Sequence, residues 1–67
     1  MTAAQFERLD EMEAEGILRW RFQALTRAGY EAATAARLAA QVQIDLHEAC
    51  DLVARGCPPE TAARILL

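Results

Sequence analysis

The chain has 67 residues, enough for one small domain, and its ten acidic residues outnumber seven arginines, for a net charge of −3. This charge disfavours nucleic-acid binding, because contacts to phosphates supply most of that affinity. No apolar segment approaches the ~20 residues that span a bilayer, and the start lacks the basic and apolar regions of a secretory signal. With only two cysteines, Cys50 and Cys57, the sequence predicts a cytoplasmic domain without membrane contact.

The first predicted helix opens with a capping box. Thr2 precedes Gln5 by three residues, the spacing at which each side chain satisfies a backbone N–H of the other residue. The helical pattern then continues to Gly29, where glycine predicts a left-handed C-cap. Gly16 interrupts the pattern, so we expect either one long helix over about residues 3–28, weakened at Gly16, or two segments broken there.

Two surfaces are predicted along this first helical region. Residues 1–16 form an acidic amphipathic extension, with five acidic residues against one arginine and an apolar stripe of Phe6, Leu9 and Met12. Because nothing in the short remainder obviously covers this stripe, we expect it to bind another protein or a second copy of the chain; the alternative is that the helix breaks at Gly16 and folds back. Residues 17–67 form the compact bundle, whose first core face is Leu18, Phe22 and Leu25, with Arg19, Arg21 and Arg27 off that face.

Three further helices follow. The second spans about residues 31–42, and its buried stripe has i, i+3, i+4, i+7 spacing. The third begins after Asp45, whose spacing to Glu48 predicts a capping box, and it stops at Gly56. The fourth begins at Pro58-Pro59, where a missing N–H costs nothing, and its predicted apolar side consists of Ala62, Ile65 and Leu66.

The chain contains an internal repeat. Residues 25–40, LTRAGYEAATAARLAA, align with residues 52–67, LVARGCPPETAARILL, at an offset of 27. We call these segments the first and second copies; each predicts a helix, a glycine stop, a short turn and a second helix. Chance similarity between alanine-rich helical hairpins is the alternative explanation. Two copies are too few for a solenoid, which needs about three repeats to bury a continuous core.

Residues 22–55 contain, in order, Leu25, Ala28-Gly29-Tyr30, Ala35, Asp45, Ala49 and Leu52-Val53. This pattern resembles a ubiquitin-associated (UBA-like) three-helix domain. Members of that family carry a leucine before a Met-Gly-Phe-type loop and an alanine five positions past the aromatic residue. An Asn or Asp cap precedes their third helix and is followed by an alanine and a pair of aliphatic residues. The resemblance implies a protein partner at the 28–30 turn and the end of the third helix. Tyr30 is then either the aromatic anchor of a docking loop or a residue that caps the edge of the core after the glycine stop. Ala28 stands where the family usually exposes a methionine, so the resemblance does not imply ubiquitin as the partner.

Two further groups of residues are candidates for function. Trp20, between Arg19 and Arg21, lies off the predicted core face and either packs against the fourth helix or belongs to an interface. His47, Cys50 and Cys57 could be imagined as zinc ligands, but a fourth ligand is missing and Cys50 lies on a core stripe, so no metal or cofactor is predicted. Catalysis also lacks support, because the chain has no serine nucleophile and no glycine-rich phosphate loop.

The sequence therefore predicts an all-α, UBA-like helical bundle with a long or kinked N-terminal helix and an added C-terminal helix. The favoured function is a non-enzymatic protein-interaction module or adaptor. An oligomeric assembly subunit, such as a small phage or virion component, is the alternative, and a helix-turn-helix DNA binder is disfavoured by the charge. The whole chain also resembles small helical proteins of actinobacteria and phages, which implies no function. The predicted partner-binding residues are Phe6, Leu9, Met12, Trp20, Ala28, Gly29, Tyr30 and Leu52.

Overall fold

The computed structural model describes all 67 residues and contains five helices and no strand, which confirms the predicted all-α class. The helices are α1 (Ala3–Glu7), α2 (Glu11–Ala28), α3 (Ala32–Ala40), α4 (Leu46–Ala54) and α5 (Pro59–Leu66). α2 packs against α3 and α4, while α5 packs against α4 and α3. The molecule measures 36 × 18 × 16 Å, so it is elongated along one axis.

The interruption near the N-terminus lies at residues 8–10 and not at Gly16, which corrects the predicted position of the break. The capping box of α1 is present, with Thr2 N donating to Gln5 Oε1 at 3.0 Å and Gln5 N donating to Thr2 Oγ1 at 3.1 Å. α1 then ends at Glu7. A new helix begins because the Asp10 carboxylate accepts a hydrogen bond from Glu13 N at 2.8 Å, and such a cap stabilises a helix by about 1 kcal/mol.

Gly16 lies inside α2 without disturbing it. Its φ is not positive, unlike that of Gly29 and Gly56, and a Cβ added to it would meet no atom within 4 Å. A glycine inside a helix costs about 1 kcal/mol relative to alanine. This cost is too small to end a helix of 18 residues, because the opposite face of α2 packs against α3 and α4.

The core is built mainly from small side chains. Its two largest fully buried members are Leu25 and Leu38, and Ala35, Ala49 and Ala62 are each 0% exposed. Alanines at these positions let the helix backbones approach one another closely, because no longer side chain separates them. The remaining buried core residues are Tyr30, Ala39, Val42, Leu46 and Ala63.

Arg21 is buried, at 6% exposure, which corrects its predicted place off the core face. Its Nε donates to the carbonyl oxygen of Ala39 at 3.1 Å, and its Nη2 donates to those of Leu38, Gln41 and Ile44 at 3.4, 3.2 and 2.9 Å. The guanidinium therefore caps the C-terminal end of α3, whose last carbonyls have no partner within the helix. It also holds the connection from α3 to α4 in place.

The two copies of the repeat share one backbone course, which confirms the predicted helix, stop, turn and helix. After α2, Tyr30 N donates to Leu25 O and Gly29 N to Thr26 O, both at 3.2 Å. The corresponding bonds after α4, Cys57 N to Leu52 O and Gly56 N to Val53 O, both measure 3.0 Å. Each pair is a Schellman motif with a glycine at φ 124° or 102°. The helices that follow begin 27 residues apart, at Ala32 and Pro59.

Candidate interaction surfaces

The predicted N-terminal stripe is divided by the fold. Phe6 and Leu9 are half-buried, whereas Met12 is 84% exposed. Met1 lines the same cleft as Ile17 of α2, so the start of the chain lies beside α2. Phe6 and Leu9 are thus partly covered within the chain, and the helix breaks at residues 8–10 instead of at Gly16. Met12 remains uncovered because it points away from the side of α2 that faces the bundle.

Trp20 is 59% exposed and stands at the rim of a cleft of about 420 Å³ between α2 and residues 42–47. Its neighbours in this cleft include Val42, Ile44 and Leu46. α5 does not contribute to the cleft, so the predicted packing of Trp20 on the fourth helix is not what the structure shows. The largest aromatic side chain of the protein therefore keeps most of its surface in solvent.

Of the two predicted alternatives for Tyr30 in the 28–30 turn, the structure shows the residue at the edge of the core. Tyr30 is 3% exposed, and its hydroxyl donates to Ala49 O at 2.7 Å, so its side chain closes the edge of the core and is not an exposed anchor. Burial, followed by the nearby thiols of Cys50 and Cys57, raises the pKa of Tyr30 above its ordinary value. Ala28 is half-buried against the core.

The backbone of Gly29 is exposed, but α4 and α5 flank it. A Cβ added there would lie 3.6 Å from Val53 Cγ1 and 3.9 Å from Pro59 Cγ. Leu52 is half-buried and packs against the core. The structure thus brings Ala28, Gly29 and Tyr30 to one end of the bundle, where the first turn of α5 lies beside them.

Two further apolar surfaces were missed by the sequence analysis. A shallow groove of about 320 Å³ lies between α2 and α3, and Arg19 is its only charged lining residue; the others are Leu18, Phe22, Ala36, Ala39 and Ala40. On α5, Ile65 is 62% exposed and Leu67 46% exposed. Ile65 was predicted to lie on the apolar side of its helix, but the buried residues there are Ala62 and Ala63. The helical period alone does not show which part of an apolar stripe meets a neighbour.

The residues that could carry chemistry are dispersed. The His47 side chain is 95% exposed, with Nδ1 3.7 Å from Asp45 Oδ1, and no group of three His, Cys, Asp or Glu side chains is arranged to hold a metal ion. Both cysteines are free and half-buried. Burial raises the pKa of the Cys50 thiol, whose Sγ lies 4.0 Å from Ala24 O, and this lowers its thiolate fraction.

The charged side chains of α2 are largely unpaired. Besides the contact between His47 and Asp45, the one ion pair joins Arg55 and Asp51 at 2.6 Å, at the C-terminal end of α4. The acidic residues of α1 and of the first half of α2 therefore have no basic partner in the chain, and neither Arg19 nor Arg27 has an acidic one. Burial lowers the pKa of Arg21, partly offset by the charge of Asp45.

None of the five helices combines the length and apolarity that crossing a bilayer requires. Comparison with known proteins identifies no relative: no protein-family model matches the chain, and neither the curated proteins nor the solved structures show a significant match. The resemblance to ubiquitin-associated domains therefore rests on the residues of this chain alone.

Proposed function

We propose that this protein is a non-enzymatic protein-interaction module that binds its partner through α2. The observation that carries this proposal is the exposure of two large apolar side chains, Met12 at 84% and Trp20 at 59%, on one helix. Neither belongs to the core, which the remaining residues complete without them. Their exposure therefore contributes nothing to the stability of the isolated chain.

Energetic arguments favour α2 as the docking element. Tryptophan and arginine are enriched among the residues that dominate binding energy in interfaces, and methionine is enriched in interfaces generally. Trp20 follows the exposed Arg19 in the sequence, and Arg19 also borders the groove between α2 and α3. A partner on α2 could thus cover the exposed indole together with Arg19.

The UBA-like resemblance enters the proposal as topology, with α2, α3 and α4 as its three helices. The family places its docking surface at the turn that corresponds to residues 28–30. In this chain Tyr30 is a core residue and Pro59 lies beside Gly29. These features favour the exposed face of α2 over the turn as the main contact in this protein.

Several features support a non-catalytic role in the cytoplasm. The only histidine is almost fully exposed and has no buried partner that would position it as a base. The Cys50 thiol is held in its less reactive protonated form by burial. Two unbridged cysteines fit a reducing compartment, and the compartment belongs to the proposal.

Affinity capture with matched variants tests the role of α2. We expect the immobilised wild-type chain and Ile65→Ala to retain the same protein from an extract of the native host, because Ile65 lies on α5. Trp20→Ala and Met12→Ala should reduce the retained amount at least about tenfold, the effect of losing ~1.4 kcal/mol of binding free energy. If both variants bind as the wild type does, docking through α2 is wrong.

The second candidate function is an assembly subunit that associates with its own kind, as small phage or virion components do. The specific observation in its favour is that α2 carries unpaired acidic residues in its first half and unpaired arginines in its second. Such a distribution is complementary to itself when two copies of the helix run in opposite directions.

A further inference from the structure

The exposed face of α2 carries a regular set of residues at helical spacing. Met12, Gly16 and Trp20 are four residues apart, so they follow one another along one side of the helix. Gln23 and Arg27 continue that side toward the C-terminal end, and all five residues are exposed. We call this set the outer face of α2.

Gly16 creates a notch in the middle of the outer face. A Cβ at this position would meet no atom of the protein within 4 Å, and its backbone conformation does not require glycine. The glycine therefore weakens the helix without serving any contact within the chain. A notch between two large apolar side chains does suit the close approach of another helix that presents a bulky residue.

Charge indicates what that other helix is. The first half of α2 carries Glu11, Glu13 and Glu15 after Asp10, and the second half carries Arg19 and Arg27, with no ion pair to any of them. A parallel second α2 would place like charges together. An antiparallel second α2 places the acidic half of each copy opposite the basic half of the other, and it also opposes the two helix dipoles.

We propose that a second copy of this chain binds antiparallel along the outer face of α2, with Trp20 of each copy seated over Gly16 of the other. This inference rests on the interaction role proposed above and names its partner. The twofold axis passes level with Leu18, midway between Gly16 and Trp20 along the helix. Arg27 of each copy then lies near Asp10 at the acidic start of the other copy's α2.

The arrangement is isologous, which is the commonest symmetry of protein dimers. Each copy contributes one helix of 18 residues, about 27 Å long at 1.5 Å per residue. A contact of this size is at the small end of specific interfaces. The dimer is therefore expected to form in the micromolar range of concentration or above.

Sedimentation equilibrium and fluorescence together test the dimer. Trp20 is the only tryptophan, so the emission reports the surroundings of this one side chain. We expect the weight-average mass to rise from that of the 7.4 kDa monomer toward twice that value between about 10 µM and about 1 mM. The emission should shift to shorter wavelength over the same range, as the indole leaves water.

Gly16→Leu is the decisive variant, because leucine favours the helix more than glycine does and the monomer stays folded. It fills the notch and should weaken dimerisation at least about tenfold, with the circular dichroism unchanged or stronger. Arg27→Glu should also weaken the antiparallel dimer, whereas a parallel dimer would only exchange one like-charged pair for another. Ile65→Ala, on α5, should leave dimerisation unchanged.

A wild-type chain that stays monomeric at about 1 mM overturns the dimer, and so does association that Gly16→Leu leaves unchanged. Association that Ile65→Ala weakens as strongly as Gly16→Leu also contradicts it. Failure of the dimer is distinguishable from failure of the proposed function. If the wild-type chain stays monomeric but captures a different protein through Trp20, the interaction role stands. Only the second copy is then excluded as the partner.

Discussion

The two copies of the internal repeat share a backbone and differ in burial. Both contain a Schellman motif at a glycine with positive φ, and the alanines at equivalent positions, Ala35 and Ala62, are both 0% exposed. Three residues further on, Leu38 is 0% exposed, whereas its counterpart Ile65 is 62% exposed. Two similar local sequences thus form the same turn, but their second helices do not occupy equivalent places in the core.

The surroundings of the two copies explain the difference. Residues of α2 that precede the first copy contact α3 in two ways. Leu18 of α2 lines the groove between the two helices, and Arg21 donates hydrogen bonds to carbonyls at the C-terminal end of α3. The residue 27 positions after Arg21 is the exposed Glu48, which makes no bond to α5. The helical hairpin is therefore a local property, whereas burial of its second helix also depends on contacts from outside the hairpin, such as the Arg21 bonds to residues 38–44, which the second copy lacks.

The largest expected difference between the copies is the effect of truncation at their equivalent aliphatic positions. Leu38→Ala should lower the free energy of unfolding by about 2–5 kcal/mol, because it leaves a cavity in the core. Ile65→Ala should change it by less than about 0.5 kcal/mol, since the side chain is mostly in water. Urea denaturation followed by circular dichroism measures both. Equal losses would show that Ile65 is buried in solution.

Arg21, which precedes the first copy and caps its second helix, is expected to have the next largest effect. Arg21→Met removes four hydrogen bonds donated by a charged group. It should lower the free energy of unfolding by about 2–4 kcal/mol. A single hydrogen bond to a charged group contributes about 1.5–3 kcal/mol, and water partly replaces the lost bonds to the carbonyls. The matched variant Glu48→Met should be nearly neutral. Thermal unfolding of the two variants at one pH compares them directly, and a neutral Arg21→Met would contradict the capping role.

The two glycine stops should respond alike. Gly29→Ala and Gly56→Ala each force a side chain into a positive-φ conformation, which costs about 1–2 kcal/mol. The space around Gly29 adds no clash, since the closest atom would be Val53 Cγ1 at 3.6 Å. Guanidinium unfolding should thus show losses equal within about 0.5 kcal/mol. A much larger loss at Gly29 would mean that the turns are not equivalent.

The smallest expected effect concerns Tyr30, whose counterpart is Cys57. Tyr30→Phe should lower the free energy of unfolding by about 1 kcal/mol near neutral pH, because the bond to Ala49 O is lost. The pKa of folded Tyr30 lies above its ordinary value of 10.0, so the stabilisation is complete below that pH and is lost as the pH rises through the raised pKa.

Denaturation at a series of alkaline pH values measures this dependence. The wild type should lose stability more steeply above pH 10 than Tyr30→Phe does, with both chains sharing the contributions of all other groups. Parallel pH profiles for the two chains would show that the phenol titrates as freely in the folded state as in the unfolded state.

Much of the helical content could be predicted because its signals are local. Thr2, Asp45 and Pro59 each mark a helix start, and Gly29 and Gly56 each mark a stop. The misplaced first break shows how two local signals compete. Asp10, followed three residues later by Glu13, is a capping pattern, and it ends the continuity of the helix more effectively than the glycine at position 16.

The candidate site was predicted less completely. Met12 and Trp20 are among the predicted partner-binding residues and both are exposed, but Tyr30 is among them too and lies in the core. The sequence does indicate that Arg21 could be buried, since Ile17, Arg21 and Leu25 are four residues apart on the side of α2 that faces the bundle. Charge nevertheless favours the surface for an arginine, and the carbonyls that satisfy Arg21 come from residues 17 to 23 positions away.

The sequence by itself determined the helices, their caps and the repeated turn, because hydrogen bonds and side-chain periods within a few residues specify each of them. Only the tertiary structure decided which of two equivalent aliphatic residues is buried, that an arginine closes α3, and that Tyr30 faces inward. Those outcomes depend on which distant segments meet, and a local pattern carries no information about a neighbour that the chain supplies from elsewhere.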